Sequence, residues 1–414
     1  MKFKELLLKG GILSIVRILT GFITMKVIAI VGGPSVMALV GQAQSFVQLV
    51  HGMVANQLSQ GVGRYTAEDE RYLNKIWSSA MLISVTIAFV LTIFGLYVSE
   101  ALSQEILYSK EYSWLLILCV TLLPISCVGI FFNNVLNSLG LQKDNIKSQL
   151  LSLLILTTLN IFSLYIFGLQ GILISTLLSG VVTSLVYVYV IKRSGHINLL
   201  DCFTFPEGEQ VKKLSKYVLV GLIAAALGPT VMILIRNIIT SELGIDITGV
   251  WQALNRLSNV LYTVLTMPVA MYLYPKLSKI KIKNDLDEEI TLVLKYLVPL
   301  VSLACCLLYI LRDFIVYFLL TEEFSLISDV YYAQLISDFL KIISFVPASV
   351  MLAKGYLKLF IGGEALVHIA TLVAVKFLIG SQELEGVCYA YVFSYALYLT
   401  YSFIVLWKHR GTLS

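Results

Sequence analysis

The chain has 414 residues, of which 58% are hydrophobic and 13% charged, with a net charge of +5 and a mean hydropathy of +0.86. An ordinary water-soluble domain carries about 25% charged residues, so this chain has half the charge that a water-facing surface needs, and a soluble enzyme is excluded. The small net charge gives no support to a nucleic-acid partner.

A spanning helix and its connection take roughly 35 residues, and apolar windows of about 20 residues bounded by polar or Gly/Pro clusters predict twelve such helices. In chain order they cover 8–31, 35–56, 75–98, 113–135, 147–168, 171–191, 213–238, 247–272, 290–310, 327–352, 359–378 and 386–407. A β-barrel is excluded too. Its strands alternate apolar and polar residues over about 10 positions, whereas stretches such as Met81–Val98 and Leu150–Leu169 are about twice that length. The basic start Met1-Lys-Phe-Lys-Glu resembles a signal peptide, but Arg17 interrupts the apolar region and no small-residue cleavage site follows. An uncleaved first span is expected.

Orientation follows from the basic residues. With the N-terminus inside, the cytoplasmic segments hold 21 of the 30 Lys and Arg residues, while the opposite loops hold essentially Lys110 and Arg312. The positive-inside rule therefore predicts an all-α, N-in/C-in protein of about twelve spans. Tyr72, Trp77, Tyr97, Tyr112, Trp114, Trp251 and Trp407 fall at expected interfaces, where aromatic belts form. The longest loop divides the chain into an N-terminal lobe (1–192), a cytoplasmic linker (193–212) and a C-terminal lobe (213–414) of six helices each. The six cysteines (Cys119, Cys127, Cys202, Cys305, Cys306 and Cys388) lie mostly inside apolar runs without metal-ligand or disulfide spacing, and are read as small core residues. No phosphate-binding G-x-x-x-x-G-K-[ST] loop exists. Neither catalytic residues, a metal nor a cofactor is expected.

The two halves are related by an internal repeat. An offset of 210 carries Lys26 onto Arg236, Gln42-Ala43 onto Gln252-Ala253, Ser45 onto Asn255 and Val50 onto Val260. Farther along, an offset of 215 carries Gly140 onto Gly355, Lys143 onto Lys358, Gly171 onto Gly386 and Arg193 onto Lys408. Because six spans is an even number, both halves start on the same side, which predicts a parallel repeat about an axis normal to the membrane.

Ionisable residues inside spans are costly, by at least about 2.5–3.5 kcal/mol at the bilayer centre, and mark function by default. Here they are Arg17, Lys26, Arg236, Arg256, Asp338, Lys341, Glu364 and Lys376, six basic against two acidic. A surplus of buried cations suits a ligand that brings negative charge, such as a phosphate or pyrophosphate, whose oxygens the arginine fork binds in pairs. Plainer readings stand beside this one. Lys26, Arg236 and Lys376 lie near predicted outer ends and can snorkel. Glu364 fits the cytoplasmic rim, and Asp338 and Lys341, three apart, can neutralise each other. Arg256 belongs to a polar stripe with Gln252, Asn255 and Asn259 at helical spacing. Arg17 and Lys26 are nine residues apart, so they share a face only if the helix bends, for which Gly21 offers a place. His51 and His368 are proton-carrier candidates, with a hydrogen-bonded structural histidine as the plainer alternative.

The chain resembles the Wzx-type flippases of lipid-linked oligosaccharides, which include O-antigen translocases and the lipid III flippase. These lie within the multidrug/oligosaccharidyl-lipid/polysaccharide exporter superfamily. The passages carrying the resemblance are Gly33-Pro34 after a first span bearing Arg17 and Lys26, Gly61-Val-Gly-Arg-Tyr-Thr-Ala67, Gly249-Val-Trp-Gln-Ala253, Tyr274-Pro-Lys-Leu-Ser278, Leu311-Arg-Asp-Phe314 and Gln334-Leu-Ile-Ser-Asp-Phe-Leu-Lys341. The resemblance implies a V-shaped pair of six-helix lobes around a cationic cavity. It also implies transport of undecaprenyl-pyrophosphate-linked glycans across the bacterial inner membrane by alternating access. In similar proteins basic residues line that cavity, and Arg17, Lys26, Arg236, Arg256 and Lys341 match. Gln252, Asn255 and Asn259 are expected to bind sugar hydroxyls, and Asp338 is a candidate for ion or proton coupling. Expected partners are the lipid-linked glycan, membrane lipid, and a polysaccharide polymerase with its chain-length regulator.

Two rivals remain. A cation-coupled multidrug exporter of the same architecture needs acidic cavity residues, of which the spans are short. A membrane polymerase or ligase usually carries a large outer loop rich in basic residues, which this chain lacks.

Overall fold

A computed structural model describes residues 3–68, 73–197, 208–277, 280 and 282–409. Among them all regular structure is helical. The helices are α1 (Phe3–Val31), α2 (Gly33–Glu68), α3 (Leu73–Ile106), α4 (Ser113–Thr121), α5 (Leu123–Ser138), α6 (Gln142–Leu177), α7 (Ser179–Ser194), α8 (Gly208–Leu243), α9 (Ile245–Leu277), α10 (Lys283–Ile310), α11 (Arg312–Leu319), α12 (Leu326–Ala353) and α13 (Leu357–His409). Eight helices are long and apolar enough to cross a membrane, or nine if the pair Lys110–Thr121 and Leu123–Ser138, bent by 47°, forms one span. Helices are the natural solution, because a chain in hydrocarbon must satisfy every backbone N–H and C=O within the segment itself. The side chains they turn outward are apolar, as at Ile93, Phe94, Phe162 and Phe377. The chain is a multi-pass, all-helical membrane protein.

The expected stretches 147–168 and 171–191 meet at a break inside α6, where Gly168 has φ 57° and ψ −139°. The stretches 359–378 and 386–407 flank the equivalent break inside α13, where Glu383 has φ 51° and ψ −134°. The two positions are 215 apart, the offset at which the sequence repeats. Other local geometry recurs at the same offset. α5 and α12 end on Gly140 (φ +69°) and Gly355 (φ +77°). Their terminal carbonyls are closed by matching bonds, Leu141 N–H to Leu136 O (2.9 Å) and Tyr356 N–H to Met351 O (2.8 Å), the pattern of a left-handed helix cap.

The chain divides into two compact units, one of Met1–Gly32 with Leu39–Ile233 and one of Gly33–Ala38 with Leu234–Ser414. In the first, α1 packs on α6, α3 on α4 and α5, and α5 on α7. Trp77, Phe131, Phe132 and Tyr187 form its aromatic core. In the second, α12 is the central rod, packed against α9, α10 and α13. Pro34 and Gly249 both belong to this second unit. A Cβ on Gly249 would lie 1.8 Å from the Pro34 carbonyl oxygen, so α9 and the start of α2 touch through backbone, and only glycine fits.

Some sequence expectations need correction. Tyr97 and Trp407 are exposed, as belt residues should be, but Trp77 and Trp251 are buried at 5% and 1% exposure. Each is held by partners instead of by the interface, Trp77 in the aromatic core and Trp251 against Tyr391, 6.3 Å between ring centroids. Cys119, Cys127 and Cys388 are buried, Cys305 is half-buried, and Cys306 is exposed instead of forming part of the core. Tyr72, Cys202, Arg71 and Arg410 lie outside the described residues, as do the side chains of Gly61–Ala67.

Candidate functional site

Polar side chains on these apolar helices gather in clusters. In the first unit, exposed Arg17 on α1 donates from Nη2 to Gln149 Oε1 on α6 at 3.0 Å. Gln149 Nε2 donates in turn to Asn145 Oδ1 (3.3 Å), which also accepts from the Tyr187 hydroxyl (2.7 Å). Asn145 Nδ2 donates to Asn137 Oδ1 (2.6 Å), and Asn137 Nδ2 to Asn133 Oδ1 (3.2 Å). The guanidinium is therefore the outer end of a chain of carboxamides running from α6 to α5, with the Tyr187 hydroxyl of α7 beside it. Sequence reasoning missed this chain, although Asn133/Asn137 and Asn145/Gln149, each pair four apart in apolar helices, are its visible trace. Lys26 is half-buried. α1 runs unbroken through Gly21, so the structure does not bring Arg17 and Lys26 onto one face. His51 is half-buried, with its ring so close to Gly180 that a Cβ there would lie 2.4 Å from Cε1.

In the second unit the Gln252–Asn259 stripe grades from buried to exposed. Gln252 is 5% exposed, Asn255 and Arg256 are half-buried, and Asn259 is exposed. Gln252 Oε1 accepts from Nε (3.0 Å) and Nη2 (2.7 Å) of Arg236. The Arg236 guanidinium also lies 5.6 Å from the Trp251 ring centroid. Arg236 is 3% exposed, so it does not snorkel, and its surroundings are those of an interior anchor.

α12 carries the acidic and basic pair. Asp338 is 1% exposed, with Oδ1 accepting from Gln334 Nε2 at 3.1 Å. Its other oxygen has no hydrogen-bond partner among the described residues. Lys341 does not neutralise it by direct contact. The lysine Nζ lies instead over the rings of Tyr262 and Tyr395, 4.7 and 5.7 Å from their centroids. Lys341 opens into a cavity of about 290 Å³ enclosed by α9, α12 and α13. Glu364, expected at a rim, lines this cavity with His368. Glu364 Oε1 accepts from the Tyr398 hydroxyl at 2.8 Å, and Oε2 lies 4.0 Å from His368 Nε2. A second unforeseen cluster joins Glu385 to the hydroxyls of Tyr332 and Tyr389. Among the described residues no group of three or more His, Cys, Asp or Glu is placed to hold a metal ion.

Residues 6–281 match the family described as polysaccharide biosynthesis protein. The chain belongs to this family. It is 24% identical over 408 residues to the lipid III flippase of Escherichia coli strain K12, covering 96% of this chain and 97% of that protein, with the same figures for the lipid III flippase of Shigella flexneri. Its fold is similar to that of the lipid II flippase MurJ in an inward closed conformation (TM-score 0.79, 13% identity, 98% of this chain and 89% of that one). It is also similar to an inward-facing multidrug resistance MATE transporter (TM-score 0.74, 16% identity, 97% and 98%). Flippases and transporters of this kind are not enzymes.

Proposed function

We propose that this protein is a flippase for lipid-linked oligosaccharides. It moves undecaprenyl-pyrophosphate-linked units, of O-antigen or lipid III type, from the cytoplasmic to the periplasmic leaflet of the bacterial inner membrane by alternating access. The observation that carries this reading is the chemistry around two cations on apolar helices. Arg17 is oriented by a neutral carboxamide and Lys341 by neutral tyrosine rings, and neither is locked in a direct ion pair with a carboxylate among the described residues. An anionic diphosphate crossing hydrocarbon needs cations whose donors can turn to it. Arg256 and Lys26 are further basic residues assigned to the substrate path, Arg236 anchors Gln252, and Asn255 and Asn259 offer carboxamides to sugar hydroxyls. Asp338 is the coupling candidate because one of its buried oxygens accepts no hydrogen bond among the described residues. A polysaccharide polymerase and its chain-length regulator would act on the exported unit.

Replacing Arg17 or Arg256 by Ala tests the reading through surface polysaccharide in a strain lacking the chromosomal copy. Loss of polysaccharide with normal protein levels is expected, and normal polysaccharide in both variants overturns the cationic role.

A further inference from the structure

We propose that the cavity enclosed by α9, α12 and α13 is a subsite for a single sugar ring bearing an anionic group. This rests on the flippase reading and assigns part of the cargo to a place within the second unit. About 290 Å³ is at the small end of ligand sites, which run from about 300 to 1,000 Å³, so the cavity suits one ring with its substituents and not an oligosaccharide.

Its walls are aromatic. Tyr262, Tyr395 and Tyr398 line it together with Phe345 and Phe360. The C–H face of a pyranose is apolar and slightly positive, and it packs against the negative face of an aromatic ring. The polar groups converge on the same space and are already oriented. Tyr398 fixes one oxygen of Glu364. The 4.0 Å from the other oxygen to His368 Nε2 is too long for a hydrogen bond but is a span that one bridging hydroxyl can fill, donating to the carboxylate and accepting from the imidazole. Among the described residues Lys341 has no carboxylate within ion-pair distance, and its ammonium rests on two ring faces. Glu364 lines the same cavity but makes no ion pair with Lys341, so the ammonium donors can turn to an anionic substituent at the lysine end of the ring while the carboxylate takes a hydroxyl at the other. A hydrocarbon chain would offer Lys341, His368 and the second oxygen of Glu364 no polar contact.

The anion has two sources, a carboxylate of the sugar itself or a phosphate on its anomeric carbon. Saturation-transfer NMR on the purified full-length protein in detergent separates them, with methyl β-glucoside, glucuronic acid and glucose 1-phosphate as probes. At least one anionic probe should give a signal several-fold above the neutral one, and whichever acid binds names the source. Lys341→Gln should remove that preference while leaving the weak neutral signal. Glu364→Gln and Tyr398→Phe should weaken every probe, and Lys358→Gln, at an exposed position outside the cavity, should change nothing. Absence of signal from all three probes overturns the assignment, as does a signal indifferent to Lys341→Gln and Glu364→Gln in folded protein. If no probe binds while Arg17→Ala still abolishes surface polysaccharide, the subsite alone fails. If the probes bind as expected while Arg17→Ala and Arg256→Ala export normally, the subsite stands and the cationic export reading fails.

Discussion

Replacing Gln252 by Leu separates an anchored Arg236 from a mobile one. In the folded protein both Nε and Nη2 of Arg236 donate to the single oxygen Oε1 of Gln252, at 3.0 and 2.7 Å, and both residues are buried. A hydrogen bond to a charged group contributes about 1.5–3 kcal/mol, and two bonds sharing one acceptor count as one such interaction. Leucine keeps the bulk of the side chain and removes the acceptor, so the expected loss is about 1.5–3 kcal/mol. The second unit has about 190 residues. For a cooperative unit of that size, about 2–4 °C per kcal/mol gives a midpoint lower by roughly 3–12 °C. Thermal unfolding of the purified protein in detergent measures it, with Gln252→Glu as the control that keeps an acceptor and should hold the midpoint. A Gln252→Leu midpoint within about 1 °C of wild type would refute the reasoning, because Arg236 would then not depend on this carboxamide.

The remaining predictions concern backbone contacts and one ion pair. Gly249→Ala should destabilise by at least about 1–3 kcal/mol, the usual cost of overpacking, since its Cβ would meet the Pro34 carbonyl; an unchanged unfolding midpoint would show that the two segments separate freely. Glu383→Gly should raise the midpoint, because a non-glycine residue at φ 51° costs about 1–3 kcal/mol against about 0.5–1 kcal/mol for the added freedom of glycine. Gly168→Ala should lower it in the same assay. Lys276 is paired with Glu289, and that partner, with the Tyr272 hydroxyl, holds its ammonium above the ordinary value of 10.5. A raised value in the folded state means the stabilisation is fully present below the ordinary value and lost as pH rises through the raised one. The stability advantage of wild type over Lys276→Met should therefore be constant from neutral to mildly alkaline pH and vanish in strong alkali.

The sequence makes the helical, membrane-spanning character legible because hydrophobic length and basic-residue placement are additive properties read one residue at a time. The repeat was legible as well, and Gly140 and Gly355 show why, since a left-handed cap constrains residue type. The equivalence of Gly168 and Glu383 was not legible, because the second position bears a residue that ordinarily avoids that conformation. At the candidate sites, spacing identified the polar stripe of α9 but could not say that Gln252 faces inward to Arg236 while Asn259 faces outward. The Arg17 carboxamide chain escaped because Arg17, its carboxamides and Tyr187 come from four helices whose packing no local pattern encodes. Trp77 and Trp251 were misplaced for the same reason. Interface and interior both accept tryptophan, and only the partners decide between them.

The support beneath Arg17 is built from Gln149, Asn145, Asn137 and Asn133, with the Tyr187 hydroxyl beside them. Carboxamides neither gain nor release protons across the physiological range, and phenols do so only near pH 10. None of these supports changes charge near neutrality, so acidity in that range does not act on Arg17 through them. Any response of the molecule to acidity near neutrality must enter through other groups.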